Sequence, residues 1–172
     1  LYGTRISLLV GIVTAIAAVL LGCVLGMLAG YFRAVDAVLM RVMDGIMAIP
    51  AVLLAITLVA MFGASLPTVI LAIAVPEIPR VTRLVRALGM SLRDEPFVEA
   101  ARALATPDAI ILWRDILPNS LAPLIVQGTF IAASAILTEA ILSFLGLGLP
   151  ADVPTWGNIM AEGRIQFSQN PG

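Results

Sequence analysis

The chain has no histidine and no lysine; all ten of its basic residues are arginine. Without histidine it lacks the commonest metal ligand and the commonest general base. Without lysine it cannot form a phosphate-binding loop of the G-x-x-x-x-G-K-S/T kind. Cys23 is the only cysteine, so no internal disulfide is available. Set inside an apolar run, it reads as a small packing residue. Charge is scarce too. Only 12% of residues are charged, where a soluble domain carries about a quarter. The formal net charge of -1 leaves no basic excess for nucleic acid. Nothing resembles a nucleophile–base pair or a metal-ligand cluster.

Apolar residues fill the space that charge leaves. They make up 60% of the 172 residues, and the mean hydropathy is +1.06. Such a chain has too little polar surface to cover a water-facing globule, which places it in the membrane class. Four long apolar runs predict an all-α, polytopic membrane helix bundle. The first covers residues 6–32, with no charge between Arg5 and Arg33; about 20 apolar residues suffice to span a bilayer. Within it Gly22, Gly26 and Gly30 repeat every fourth residue, on one helix face, where a second helix can approach closely. The second run covers about 38–62. Asp44 lies one turn from Arg41 and is expected to pair with it, and Pro50 is expected to kink the helix. The third run begins near Thr68 after an uncharged turn at 63–67. Pro76 and Pro79 bracket Glu77 within it, and Arg80, Arg83 and Arg86 then form a basic stripe where the helix leaves the membrane. The fourth runs from Pro118 to about Gly146.

Between the third and fourth runs lies a polar island at residues 91–116. Asp94 or Glu95 before Pro96 signals a helix start, and Thr106-Pro107-Asp108 signals a second. Two short helices meeting near Ala105 are expected, with Glu99 and Arg102 as i, i+3 neighbours on the first. Arginine counts orient the whole. If each run crosses once, eight arginines fall on the island's side and two, Arg5 and Arg164, on the other. That bias puts the island in the cytosol and both chain ends outside. The tail from Leu147 is rich in Pro and Gly and carries Trp156, a residue suited to a membrane–water boundary. A start at Leu1 and an end at Asn170-Pro171-Gly172, with no signal peptide, read as an internal piece of a longer protein.

The island carries a recognisable pattern. Phe97-Val98-Glu99-Ala100-Ala101-Arg102-Ala103-Leu104, continuing to Ile116-Leu117-Pro118-Asn119, resembles the EAA motif of binding-protein-dependent ABC importer permeases. The family pattern is E-A-A, three residues, Gly, nine residues, Ile, any residue, Leu-Pro. Glu99 to Pro118 has that length, with Ala105 in place of Gly and Asp115 in place of Ile. Residues 2–11, Leu142-Ser143-Phe144-Leu145-Gly146-Leu147-Gly148 and Pro154-Thr155-Trp156-Gly157 resemble the dipeptide/oligopeptide branch. The resemblance covers essentially the whole chain.

The resemblance implies a partial type I importer transmembrane domain over 1–172, holding four of six spanning helices and a cytosolic coupling loop at 91–116. It implies a multi-pass subunit of a bacterial or archaeal inner membrane, surrounded by lipid, that catalyses nothing itself. A second homologous permease, two cytosolic ATPases that hold ATP and magnesium, and an extracytoplasmic solute-binding protein are the implied partners. Glu99, Ala100, Ala101, Arg102, Ala103, Ala105 and Pro118 would form the ATPase-docking set. Small alanines keep such a helix thin enough for close docking, and Glu99 with the arginines supplies polar contacts at the rim.

Ionisable groups inside a bilayer are costly and tend to be functional. Glu77, Gln127 and Glu139 are the candidates for the pathway or a gate; the alternative for Glu77 is a pair with an arginine such as Arg80. Glu139 stands twenty residues beyond Asn119, roughly 30 Å along the helix, near the outer boundary. The resemblance makes short peptides the expected cargo. The rival readings are nickel or a nickel chelate on the same fold and, from another class, a stand-alone secondary transporter. The last leaves the polar island without a task and needs ion-coupling acids or repeats that are not evident.

Overall fold

The structure is a computed structural model that describes residues 1–170; Pro171 and Gly172, part of the tail read above, lie outside the described residues. These are all-helical, without a strand. In chain order the helices are α1 (Tyr2–Tyr31), α2 (Arg33–Met47), α3 (Ala51–Phe62), α4 (Leu66–Leu92), α5 (Pro96–Ala103), α6 (Asp108–Ile111), a π-helical turn (Leu112–Ile116), α7 (Leu117–Phe144) and α8 (Trp156–Gln169). Among the described residues two stretches are long and apolar enough to cross a membrane: α1 and the continuous Asp108–Phe144. Taken as one bent span, α2 with α3 adds a third.

The second apolar run is therefore two helices. Pro50 takes an extended ψ of 132° and caps α3, so the ladder stops at Ala48, whose N–H still reaches Asp44 O at 3.0 Å. Pro76 and Pro79 do the opposite and sit inside an unbroken α4. Membrane helices tolerate an interior proline when neighbours cover the freed backbone groups. At 27 residues α4 is about 40 Å long, but the arginines of its second half make it too polar to count as a wholly apolar span. Its start is set by Ser65, whose hydroxyl accepts from Thr68 N–H at 3.4 Å.

The chain forms two compact units. One comprises residues 1–17, 49–77 and 129–172; the other comprises 18–48 and 78–128. In the first, Val10, Ala55, Val59, Val69, Ala72, Ile73, Ala135 and Leu142 make an apolar core. Gly11 lets α1 approach α7 so closely that a Cβ there would lie 2.8 Å from Ala132 O. In the second unit the glycine stripe does what its spacing predicted. A Cβ on Gly22 would come within 2.5 Å of Val81 Cβ, and one on Gly26 within 2.6 Å of Val85 Cβ. The α1–α4 contact is thus backbone against side-chain root, the packing that holds helices together where apolar surface alone gives no drive.

Candidate functional site: the loop between α4 and α7

Helix α5 starts at Pro96 with Glu95 in the N-cap position. No side chain caps it. The Glu95 carbonyl instead accepts from Val98 N–H at 3.0 Å and Glu99 N–H at 3.2 Å. The helix turns its Val98 and Ala101 side inward, both buried, and leaves Phe97, Glu99, Ala100, Arg102, Ala103 and Leu104 exposed. Ala101 thus packs against its own chain, while Ala100 and Ala103 give the thin outer profile.

The end of α5 is a tight corner. Ala105 N–H donates to Arg102 O at 2.9 Å and Thr106 N–H to Ala101 O at 3.1 Å. These two bonds define a Schellman cap, whose C′ residue adopts a left-handed backbone. Ala105 has φ +55°, the only non-glycine with positive φ among the described residues. A Cβ in that conformation costs about 1–2 kcal/mol. Here lies the physical reason for glycine at this place in the family pattern, and what its replacement by Ala105 costs.

Helix α6 begins one residue later than the Thr106-Pro107-Asp108 signal suggests. Pro107, not Thr106, occupies the N-cap position, and no side chain caps the helix; the Pro107 carbonyl accepts from Ile110 and Ile111 N–H at 3.0 and 3.1 Å. The π-turn then carries the chain into α7. Its wider winding keeps Ile111, Leu112 and Ile116 buried. Asp115 is left partly exposed and accepts from Arg114 at 3.0 and 3.1 Å. The buried isoleucine thus sits at 116, and the exchange at 115 leaves no acid in the core. Pro118 is exposed at the start of α7.

A side chain from outside the loop organises this corner. The Tyr31 hydroxyl, at the end of α1, donates to Asp108 Oδ1 at 2.6 Å. It accepts from Arg102 Nε at 3.2 Å, and the Arg102 guanidinium lies 5.2 Å from the Tyr31 ring centroid. The hydrogen bond to Tyr31, above all, raises the guanidinium's pKa further above its ordinary value. Arg102, exposed on the last turn of α5, thus spends its Nε on Tyr31. Nearby, Arg93 Nη1 donates to Gly30 O at 3.3 Å, a cation on the C-terminal carbonyls of α1.

The basic stripe of α4 is answered by α2. Arg86 grips Asp36 with two nitrogens, Nη2 to Oδ2 at 2.8 Å, and Arg83 pairs with Asp44. Asp44 therefore takes a partner 39 residues away instead of Arg41 one turn back, because the packing of α2 along α4 brings the guanidinium to it.

The three pathway candidates divide between the units. Gln127 is half-buried in the second. Glu77, 6% exposed, and Glu139, 0% exposed, are buried in the first. Ser143 Oγ donates to Glu139 Oε1 at 2.6 Å, while Glu139 Oε2 has no hydrogen-bond partner. The loop after α7 covers this end. A Cβ on Gly148 would meet Ser143 Oγ at 2.2 Å, and one on Gly157 would meet Ala140 Cα at 2.8 Å. Trp156 opens α8 and is anchored to α1, its N–H donating to Ser7 Oγ and its indole Nε1 to Thr4 Oγ1, both at 3.2 Å.

Sequence reasoning missed Tyr31, Phe97 and Leu104. Leu104 is 82% exposed and Phe97 41%. At i and i+7, with Ala100 between, they make an apolar stripe on the outer face of a short polar loop, a pattern that spacing alone displays. Tyr31's signal was a phenol at the polar end of an apolar run, where its hydroxyl needs a partner. Among the described residues no group of three His, Cys, Asp or Glu is placed to hold a metal ion.

Comparison with known proteins agrees with this geometry. The family described as "Binding-protein-dependent transport system inner membrane component" matches residues 7–167. The chain is 49% identical over 171 residues to the "Probable peptide ABC transporter permease protein y4tQ" of Sinorhizobium fredii, covering 99% of this chain and 59% of that protein. It is 45% identical over 170 residues to the dipeptide transport system permease protein DppC of Alkalihalophilus pseudofirmus, covering 98% and 56%. It is 40% identical over 165 residues to the glutathione transport system permease protein GsiD of Pectobacterium atrosepticum, covering 95% and 55%. The chain spans somewhat over half the length of these relatives.

Proposed function

This chain belongs to the family of binding-protein-dependent transport system inner membrane components, and we propose that its complete protein is the permease subunit of an ATP-driven importer of short peptides. The observation that carries the reading is the loop at 91–116. A short helix projects an apolar stripe, Phe97 and Leu104, between exposed alanines and the charged Glu99. The loop is tied to α1 by Tyr31 and is continuous with α4 and α7.

In this reading the loop faces the cytosol, as the arginine bias indicates, and docks on one of two ATPases that bind ATP and magnesium. Glu99, Ala100, Arg102, Ala103, Leu104 and Ala105 lie on the docking face, with Arg102 also bonded to Tyr31; the buried Ala101 holds the helix in place behind it. A second, homologous permease completes the path, and a solute-binding protein delivers cargo from outside. Closure of the ATPases moves the docked loops, and the spanning helices rock between two accessible states. Relatives named for peptide, dipeptide and glutathione transport support a short-peptide cargo over nickel.

The test is a surface change that leaves the fold alone. Ala101 is buried, so the informative variant is Glu99→Arg with Ala103→Trp on the outer face. In proteoliposomes supplied with peptide-loaded binding protein, the variant complex should lose at least about tenfold in uptake per ATP hydrolysed, the factor that a docking contact of about 1.4 kcal/mol would supply. Wild-type uptake per ATP in this variant would remove the loop from the docking role.

A further inference from the structure

We infer that Tyr31 is a positioning residue for transport, the latch through which movement of the coupling loop reaches α1. The inference rests on the docking reading above and names a part that reading lacks. The loop is joined to α4 through residues 93–95 and to α7 through the π-turn, so motion of α5 reaches those helices along the backbone. No backbone joins α5 to α1. The link must be made by side chains.

Tyr31 makes it at the point of greatest leverage. Its hydroxyl bonds Arg102, on the last turn of α5, and Asp108, the first residue of α6. These two residues stand on either side of the Ala105 corner. One oxygen therefore holds both arms of the corner, and the corner itself is stiffened by its two backbone bonds. Both side-chain bonds involve a charged group, and such bonds are stronger than neutral ones. Tyr31 is buried, 9% exposed, with Phe32 edge-on at a centroid distance of 5.2 Å. The Arg93 bond to Gly30 O, one residue earlier on α1, holds the same end from the other side of α5. Beyond this clasp the glycine face of α1 lies against α4. A loop displaced by its ATPase would thus carry α1 with α4 as one body, whereas a loop freed from Tyr31 would reach α1 only through α4 and the Arg93–Gly30 bond, without a direct hold on the corner.

The experiment uses the complete permease with its partner permease, ATPases and binding protein in proteoliposomes, probed with a dipeptide. Tyr31→Phe keeps the ring and its contact with Arg102 but removes the hydroxyl. Uptake per ATP is expected to fall at least about tenfold, because the hydroxyl's two charge-assisted bonds are both lost and one of about 1.4 kcal/mol already supplies that factor. ATPase should still co-purify in normal amount. Asp108→Asn keeps an acceptor for the hydroxyl and should hold uptake per ATP within about twofold of wild type, whereas Asp108→Ala, which cuts one of the hydroxyl's two bonds, should lower it further than Asp108→Asn but no further than Tyr31→Phe. Combining Tyr31→Phe with Asp108→Ala should be no worse than Tyr31→Phe alone, because that variant already cuts the bond to Asp108.

Two results overturn the latch while leaving docking intact: unchanged uptake per ATP in Tyr31→Phe, or additive losses in the double variant, each seen beside an uncoupled Glu99→Arg, Ala103→Trp control. A control that transports normally, or a wild-type permease that retains no ATPase, removes the docking reading and the latch together. All values are normalised to permease present, and the Asp108→Asn and Asp108→Ala pair decides the question if Tyr31→Phe folds poorly.

Discussion

The two units of the chain treat charge in opposite ways. In the unit formed by 18–48 and 78–128, three carboxylates take partners from other helices: Asp36 from Arg86, Asp44 from Arg83, and Asp108 from the hydroxyl that Arg102 also holds. These groups are partly or largely exposed, so each costs little to keep charged and gains orientation from its pair. In the unit formed by 1–17, 49–77 and 129–172, Glu139 is withdrawn completely and holds a single serine, with one oxygen unmatched. The contrast separates two uses of polarity in one membrane protein. Distributed pairs set the relative placement of the helices around the loop between α4 and α7. A solitary buried carboxyl contributes nothing comparable to placement and stands as a cost that the surrounding packing must offset.

The comparison breaks most sharply at Ser143. Ser143→Ala removes the hydrogen bond to Glu139 and leaves the carboxyl buried without its partner. A loss of about 2–3 kcal/mol is expected, seen as a lower midpoint of thermal unfolding in detergent. Glu139→Gln, which keeps an acceptor for the serine, should cost less than about 1 kcal/mol. Glu139→Leu together with Ser143→Ala should recover most of the loss, because an apolar pair needs no partner. A neutral Ser143→Ala would mean that the serine does not hold the carboxyl, and the solitary site would lose its distinction.

In the other unit the same kind of change should be milder and reversible by exchange. Asp36→Ala breaks the two-nitrogen grip of Arg86, at side-chain exposures of 23% and 32%, and is expected to cost about 1 kcal/mol. Asp44→Ala breaks a more open pair, 56% and 46% exposed, and should cost about 0.5 kcal/mol or less. Exchanging the charges, Asp36→Arg with Arg86→Asp, should restore at least half of the first loss. Equal losses at the two positions, measured by thermal unfolding at low and high salt, would show that exposure does not grade these pairs.

What was legible in the sequence follows the range of the interaction. The helical character, the glycine face of α1 and the start of α5 at Pro96 depend on a few neighbouring residues and appear where expected; Pro50, expected to kink one helix, instead separates two. The motif's spacing located the loop. Signals that depend on partners far along the chain were opaque. Asp44 chooses Arg83 over Arg41, and Arg102 turns to Tyr31, because helix packing decides which guanidinium is close. Pro76 and Pro79 leave α4 intact while Pro50 ends a helix, although a local rule treats them alike. Ala101 lies inside and Ala100 outside, a choice made by the surface α5 rests on. Glu139's isolation was invisible, since no local pattern tells how closely the 148–157 loop covers a side chain.

The smallest expected effects test the one feature the two units share. Helix α7 ends as α5 does: Gly146 N–H donates to Ser143 O at 3.0 Å and Leu147 N–H to Leu142 O at 2.8 Å, with Gly146 at φ +77°. The bonds are the same; the residue in the left-handed position is glycine at one corner and alanine at the other. Glycine enters that region freely, whereas alanine crowds its own carbonyl. Ala105→Gly should therefore stabilise the chain by about 0.5–1 kcal/mol, and Gly146→Ala should destabilise it by a similar amount, the gain being trimmed by glycine's freedom in the unfolded chain. Opposite signs at the two corners, read as shifts in unfolding midpoint, follow from backbone geometry alone. If Ala105→Gly instead lowered uptake per ATP while raising stability, the strained alanine would be a stiffener of the coupling corner, since a glycine there holds the same bonds with a looser hinge.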